Sequence, residues 1–256
     1  MAKPIPKRPQ EIQLMRDAGR IACAVLRQAV KLVVPGLTTL ELDRQVGDII
    51  KARGATSAFL GYRGFPANCC LSVNDAVIHG IGGSRRLQFG DLLKVDIGVR
   101  VKGFVGDVAM TVAVGGCRPS EQRLMDVTIK SLYAGVNAAK PGNRVSDIGR
   151  AVQSVVEAAG FGIVREFCGH GVGRTVHEEP QVPNYVDPDN RIRLVPGLTI
   201  AIEPMVTAGN PAVRLLDDRW TVVTVDRQVS AHFEHTILIT ETGAEILTKD
   251  DEAPLY

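Results

Sequence analysis

The chain repeats itself, and this constrains its fold more than any other feature of the sequence. Pro35–Arg44 (PGLTTLELDR) resembles Pro141–Arg150 (PGNRVSDIGR), and Gly54 and Gly160 close the two following helical segments at the same offset. His79–Gly82 (HGIG) then matches His170–Gly173 (HGVG). Gly90–Asp96 (GDLLKVD) aligns with Gly197–Glu203 (GLTIAIE), so an acid falls at the same point of each run. A later strand in each half carries another acid, Asp107 and Glu234. Two copies are too few for a solenoid. Each half reads as helix, HGxG segment and two strands bearing one carboxylate apiece. The expected fold class is α+β: pseudo-twofold duplicated halves, about 9–125 and 126–256, with helices covering a curved antiparallel sheet from one side.

Local patterns fill in this outline. Leu14, Met15, Ala18, Ile21, Ala22, Val25 and Leu26 recur at helical spacing. Thr38–Glu41 reads as a capping box for a second helix running to about Arg53. Two further helical segments are expected at Arg123–Ala138 and Ser146–Ala159. Strand-like runs cover Leu92–Val101, Phe104–Val114, Thr199–Val206, Trp220–Val225 and Phe233–Thr240. With 256 residues, of which 45% are apolar, the chain can bury a large core as a single domain. A formal net charge of +2 gives no support to DNA binding or a membrane-surface role. The start has no apolar run of the secretory kind, no stretch is long enough to span a bilayer, and the expected location is cytoplasmic. Five cysteines without a CxxC pair argue against a disulfide framework and a zinc finger.

The carboxylates carry the chemistry. A two-residue turn at Val101 and Lys102 would set Asp96 and Asp107 directly opposite each other in a hairpin, roughly 4.5–5.5 Å apart at Cβ. Like charges so close are unfavourable unless one is protonated or a cation lies between them. Glu203 and Glu234 are likewise acids inside apolar runs. Four buried carboxylates carry −4, which two divalent cations cancel. His170, between Gly169 and Gly171, is the expected fifth ligand. Oxygen donors with one imidazole favour first-row divalent ions such as Mn, Fe, Co, Ni or Zn over a structural zinc. A pair of such ions lowers the pKa of water, and the chemistry that follows is amide hydrolysis.

These residues resemble the signature of the methionine aminopeptidases over nearly the whole chain. The carriers are Val73–Gly80 (VNDAVIHG), Lys94–Gly98 (KVDIG), Gly106-Asp107, Cys168–Arg174 (CGHGVGR), His177–Pro180 (HEEP), Ala201–Pro204 (AIEP) and Phe233–Thr236 (FEHT). The resemblance implies a pita-bread fold, with residues 9–256 as a single catalytic domain behind a basic N-terminal tail, 1–8. It implies removal of the initiator methionine from nascent proteins and peptides, with a preference for a small second residue. Asp96, Asp107, His170, Glu203 and Glu234 would bind two metals, and Glu203 would also shuttle the proton. His79 would meet the scissile amide, His177 would hold its carbonyl, and Asp96 would sit near the free α-amine. The methionine pocket would comprise Phe59, Tyr62, Phe65, Cys70 and Trp220, with His79 at its edge. Phe59 and Phe65 stand where bacterial relatives often have Cys and Tyr, and Val176 where an aromatic residue is usual; these departures bear on the pocket's shape.

No long insertion separates His177 from Glu203, and none precedes Pro9, which favours the type I enzymes over type II, aminopeptidase P and prolidase. Two other readings stay open: a pita-bread binding protein without catalysis, and an enzyme acting on Xaa-Pro peptides. Strand alternation is read as pointing His232 and His235 away from the Glu234 face. Cys23, Cys117 and Cys168 are read as small buried residues. Lys3, Lys7 and Arg8 are read as a solvated tail, with weak ribosome contact as its alternative use. The two halves together favour a monomer.

Overall fold

The computed structural model describes residues 4–249 and 255–256. The first half holds helices α1 (Pro9–Lys31) and α2 (Thr39–Ala52) and strands β1 (Thr56–Ser57), β2 (Cys70–Val73), β3 (Ala76–Ile78), β4 (Leu92–Val101) and β5 (Phe104–Ala113). The second holds α3 (Pro119–Ala138), α4 (Val145–Ala158), β6 (Gly162–Ile163), β7 (Gly169–Gly171), β8 (Glu178–Val182), β9 (Thr199–Ile202) and β10 (Met205–Thr207). It continues through β11 (Val213–Leu215), β12 (Val222–Thr224), β13 (Ser230–His232), β14 (Glu234–Ile239) and β15 (Ala244–Ile246).

The four α-helices among the described residues open with the same device. The acid three residues beyond the cap accepts the cap's backbone N–H: Glu11 from Arg8 at 3.0 Å, and Glu41, Glu121 and Asp147 from Thr38, Arg118 and Arg144, each at 2.8 Å. At Thr38 the exchange is reciprocal, because the Glu41 N–H donates to its hydroxyl at 3.1 Å. Arg8-Pro9 and Arg118-Pro119 open α1 and α3 alike, a further pair of repeated segments. α3 therefore starts four residues before Arg123, on a first turn too polar to extend the apolar pattern. Gly54 and Gly160 stand just beyond α2 and α4 at φ +70° and +80°, where a residue without Cβ is unstrained.

The main sheet runs β1-β4-β5-β14-β9-β7-β8, with β2 on β4 and β15 on β14, and its pairings are antiparallel. The halves join where β5 pairs with β14. On the helix side, α1 and α2 set Ala22, Val25, Leu26 and Val46 against Val95, Ile97, Val99 and Val108. The second half repeats this: Leu132, Ile148 and Val152 of α3 and α4 pack with Ile200, Ile202, Ile237 and Ile239. In both halves the helices thus cover one face of the antiparallel sheet and leave the other face open.

The hairpin register differs from the expected one. Lys102 and Gly103 make the turn, both at positive φ (+48° and +84°), and Val101 pairs with Phe104. Two positive φ values match the right-handed twist of the strands, and Gly103 supplies one without strain. Asp96 consequently faces Ala109, and Asp107 faces Gly98. The two acids share a face diagonally, roughly 7–8 Å apart in a regular ladder, instead of standing opposed. The expected Thr199–Val206 run is also broken, into β9 and β10, because Pro204 has no N–H for the ladder. Trp220 and Thr221 lie outside the β12 strand.

The N-terminal segment corrects another expectation. Lys3 lies outside the described residues, but Lys7 is docked: its N–H donates to Gly197 O at 2.8 Å, and its ammonium meets Glu178 at 2.7 Å. Cys23 is buried as expected, whereas Cys117 and Cys168 are only half-buried. Among the described residues no disulfide is formed.

The sheet approaches α1 closely at Gly106, where a Cβ would sit 2.4 Å from the backbone oxygen of Ala18. Gly106→Ala should therefore destabilise the protein by about 1–3 kcal/mol through overpacking. A lowered urea midpoint at unchanged m-value checks this; an unchanged midpoint refutes it.

Candidate active site

Side chains alternate along β4 and β5, so the strands that give Val95, Ile97 and Val108 to the helix-side core turn Asp96 and Asp107 to the concave face. Register then carries the row across the seam. Ala109 pairs with both Asp96 and Glu234, and extending the Ile202–His235 pairing by one residue brings Glu203 opposite Glu234. His170 enters from β7, its Nε2 at 3.3 Å from Glu203 Oε1. All five side chains line one cavity of about 530 Å³.

This cluster is costly as it stands. Asp96, Asp107, Glu203 and Glu234 are buried, and each has one carboxylate oxygen without a hydrogen-bond partner. Burial first, and mutual repulsion second, push all four carboxyls well above their ordinary range. Single ligand atoms of Asp107, His170 and Glu234 lie within 4.8 Å of one another. Burial lowers the His170 imidazole to about 3, which keeps it neutral and able to donate a lone pair to a cation. Orphaned anionic oxygens around a neutral imidazole fit divalent metal ions, which would satisfy the oxygens and cancel the charge together.

Around this centre the cavity wall is aromatic on one side. Phe59, Tyr62, Phe65, Cys70, His79 and Trp220 all line it. Phe65 and Trp220 meet edge to face at 5.1 Å, and His79 lies edge-on to Trp220 at 6.4 Å. Phe59 fits because Gly98 has no side chain; a Cβ there would fall 2.3 Å from its ring. Cys70 pairs with Asp96 in register, which sets its thiol beside that carboxylate. Burial lowers His79 to about 4, leaving it neutral. His177 stands at the cavity rim, its ring 4.2 Å from that of His170 and its Nδ1 3.0 Å from the Tyr62 hydroxyl. Val176 beside it is buried in the wall.

Several residues here escaped the sequence. His232 does not point away: Nε2 lies 3.5 Å from Glu203 Oε2, and neither ring nitrogen has a hydrogen-bond partner. It stands two residues from Glu234, and a period of two puts such neighbours on the same side. His235 does turn away, to the Thr248 hydroxyl at 2.8 Å. Cys168, two residues before His170, lines the cavity by the same parity. Asn184 donates to the Glu203 carbonyl at 3.0 Å, for which the sequence held no signal. Lys94, on the Asp96 side of β4, is wholly buried, its ammonium donating to Asn74 O at 2.7 Å and Ser230 O at 3.2 Å.

Comparisons with known proteins show the family to which the chain belongs. The family model for metallopeptidase family M24 matches residues 13–241. Methionine aminopeptidase 1 of Bacillus subtilis (strain 168) is 49% identical over 245 residues, covering 96% of this chain and 99% of its own. The methionine aminopeptidase of Escherichia coli (strain K12) is 46% identical over 252 residues, covering 97% and 96%. The crystal structure of methionine aminopeptidase from Thermotoga maritima superimposes with a TM-score of 0.94 at 43% identity, covering 96% of this chain and all of that one. Prolidase from Pyrococcus furiosus, at 24% identity and a TM-score of 0.79, shares the fold over 97% of this chain and 66% of its own. The chain belongs to metallopeptidase family M24, among the methionine aminopeptidases.

Proposed function

We propose that this enzyme hydrolyses the bond after an N-terminal methionine in nascent proteins and peptides, preferring a small second residue. The observation that carries the reading is the set of buried carboxylates with orphaned oxygens, beside an aromatic-walled recess of the same cavity. Asp96, Asp107, His170, Glu203 and Glu234 would hold two divalent ions (Co, Mn, Fe, Zn or Ni), the donor set accepting several. Bound there, such ions would activate water and polarise the scissile carbonyl.

The chain's own residues do the rest. Glu203 accepts the proton released by the attacking water and passes it to the leaving amine. In the tautomer whose Nδ1 accepts the Tyr62 O–H, His177 keeps its proton on Nε2, which can meet the substrate carbonyl as charge develops on oxygen. His79, held against Trp220 and Phe167, borders the scissile amide. The methionine side chain lies among Phe59, Phe65, Cys70 and Trp220, where sulfur–aromatic contact favours a thioether. Asp96 near the free α-amine restricts cleavage to chain ends. We read residues 9–256 as the single catalytic domain of a cytoplasmic monomer. No helix among the described residues is long and apolar enough to cross a membrane.

Metal-stripped protein returned to Mn, Co or Fe should cleave Met-Ala-Ser, and each ion should raise its melting temperature by mass action. Preference for an Ala-Pro peptide would refute the substrate assignment, and absence of both activity and thermal shift would refute the metal reading. Glu203→Gln should lower kcat by about 10²–10⁴-fold while the protein stays folded. A rate close to that of the unaltered enzyme would remove Glu203 as the proton carrier.

A further inference from the structure

The rim histidine is held by a segment far away in sequence. Glu178, directly after His177, uses Oε1 to accept the N–H groups of Arg174 at 2.7 Å and Thr175 at 3.2 Å. Its other oxygen is taken by the Lys7 ammonium at 2.7 Å, an ion pair in which the lysine side chain is only 10% exposed. Lys7 is in turn fastened by its own backbone N–H to Gly197 O, just before β9, the strand that leads to Glu203. Pro6 lies against Gly197, 3.1 Å from where a Cβ would be.

Gly173 makes the crossing possible. A Cβ there would fall 2.5 Å from both Glu178 oxygens and from Lys7 Cε, so the lysine and the carboxylate fill the space that glycine leaves. Beyond this point the loop is tied inward: Val105 N–H donates to Gly173 O at 2.8 Å, and the Thr175 hydroxyl to His177 O at 3.1 Å. An exposed ion pair would contribute little. This one closes a chain of contacts from β9, through Lys7 and Glu178, to the backbone that aims His177.

We propose that the Pro4–Lys7 segment is a strap that fixes the loop Gly173–His177, with Lys7 the positioning residue for His177. The proposal rests on His177 meeting the substrate carbonyl, as read above. Without the ammonium, Glu178, whose side chain is 25% exposed, can turn to water and release both loop N–H groups. The loop then loses its set geometry. A misplacement of about 1 Å at such a group costs up to about a hundredfold in rate.

The test is steady-state kinetics of the full-length, manganese-reconstituted enzyme on Met-Ala-Ser, with melting temperatures recorded in parallel. Lys7→Met should lower kcat by about tenfold to a hundredfold with little change in KM, Lys7→Arg should restore most of the rate, and Glu178→Gln should reproduce the Lys7→Met defect. In a His177→Ala background, Lys7→Met should cost nothing further, because its effect passes through the missing ring. If Lys7→Met, or Glu178→Gln should Lys7→Met fail to fold, leaves kcat unchanged, the strap has no such role. The same conclusion follows if the Lys7→Met loss is as large without His177 as with it. Failure of the unaltered enzyme to cleave Met-Ala-Ser would instead overturn the functional reading beneath it.

Discussion

Four carboxylates share one buried face of a sheet, and their mutual repulsion is the constraint around which the molecule is organised. An isolated buried carboxylate is tolerated by taking up a proton or finding a partner. Here the backbone leaves one oxygen of each acid unsatisfied, and the opposite face of the same strands is committed to the helix core. The apolar residues of β4, β5, β9 and β14 cannot exchange faces with the acids without dismantling that core. The folding energy of the helix side thus holds the acids together against their charge.

The sequence made much of this legible because strands write their faces in a period of two and the duplication wrote the pattern twice. Asp96, Asp107, Glu203 and Glu234 each interrupt an apolar run, and the repeat located them at equivalent points. The geometry of their meeting was harder to read. A lysine at φ +48° does not announce a turn, so the hairpin looked one residue earlier than it is, and the acids looked opposed instead of diagonal. Gly103 was the available clue.

Other residues hid for different reasons. His232 was recoverable from parity alone. Lys7 was not: a cation among prolines near the chain start looks solvated, and its partner lies 171 positions away. Asn184 reaches Glu203 through a loop, where no periodicity operates. Local patterns declare strands and helices, whereas contacts between distant loops depend on the finished packing.

The seam between β5 and β14 has a wider meaning. Two of the five candidate donors, Asp96 and Asp107, come from the first half, and three, His170, Glu203 and Glu234, from the second. Neither half owns a complete constellation. A polypeptide of half this length could therefore enclose such a centre only as a pair of copies, whereas in one chain the two rows of acids are free to take unequal roles.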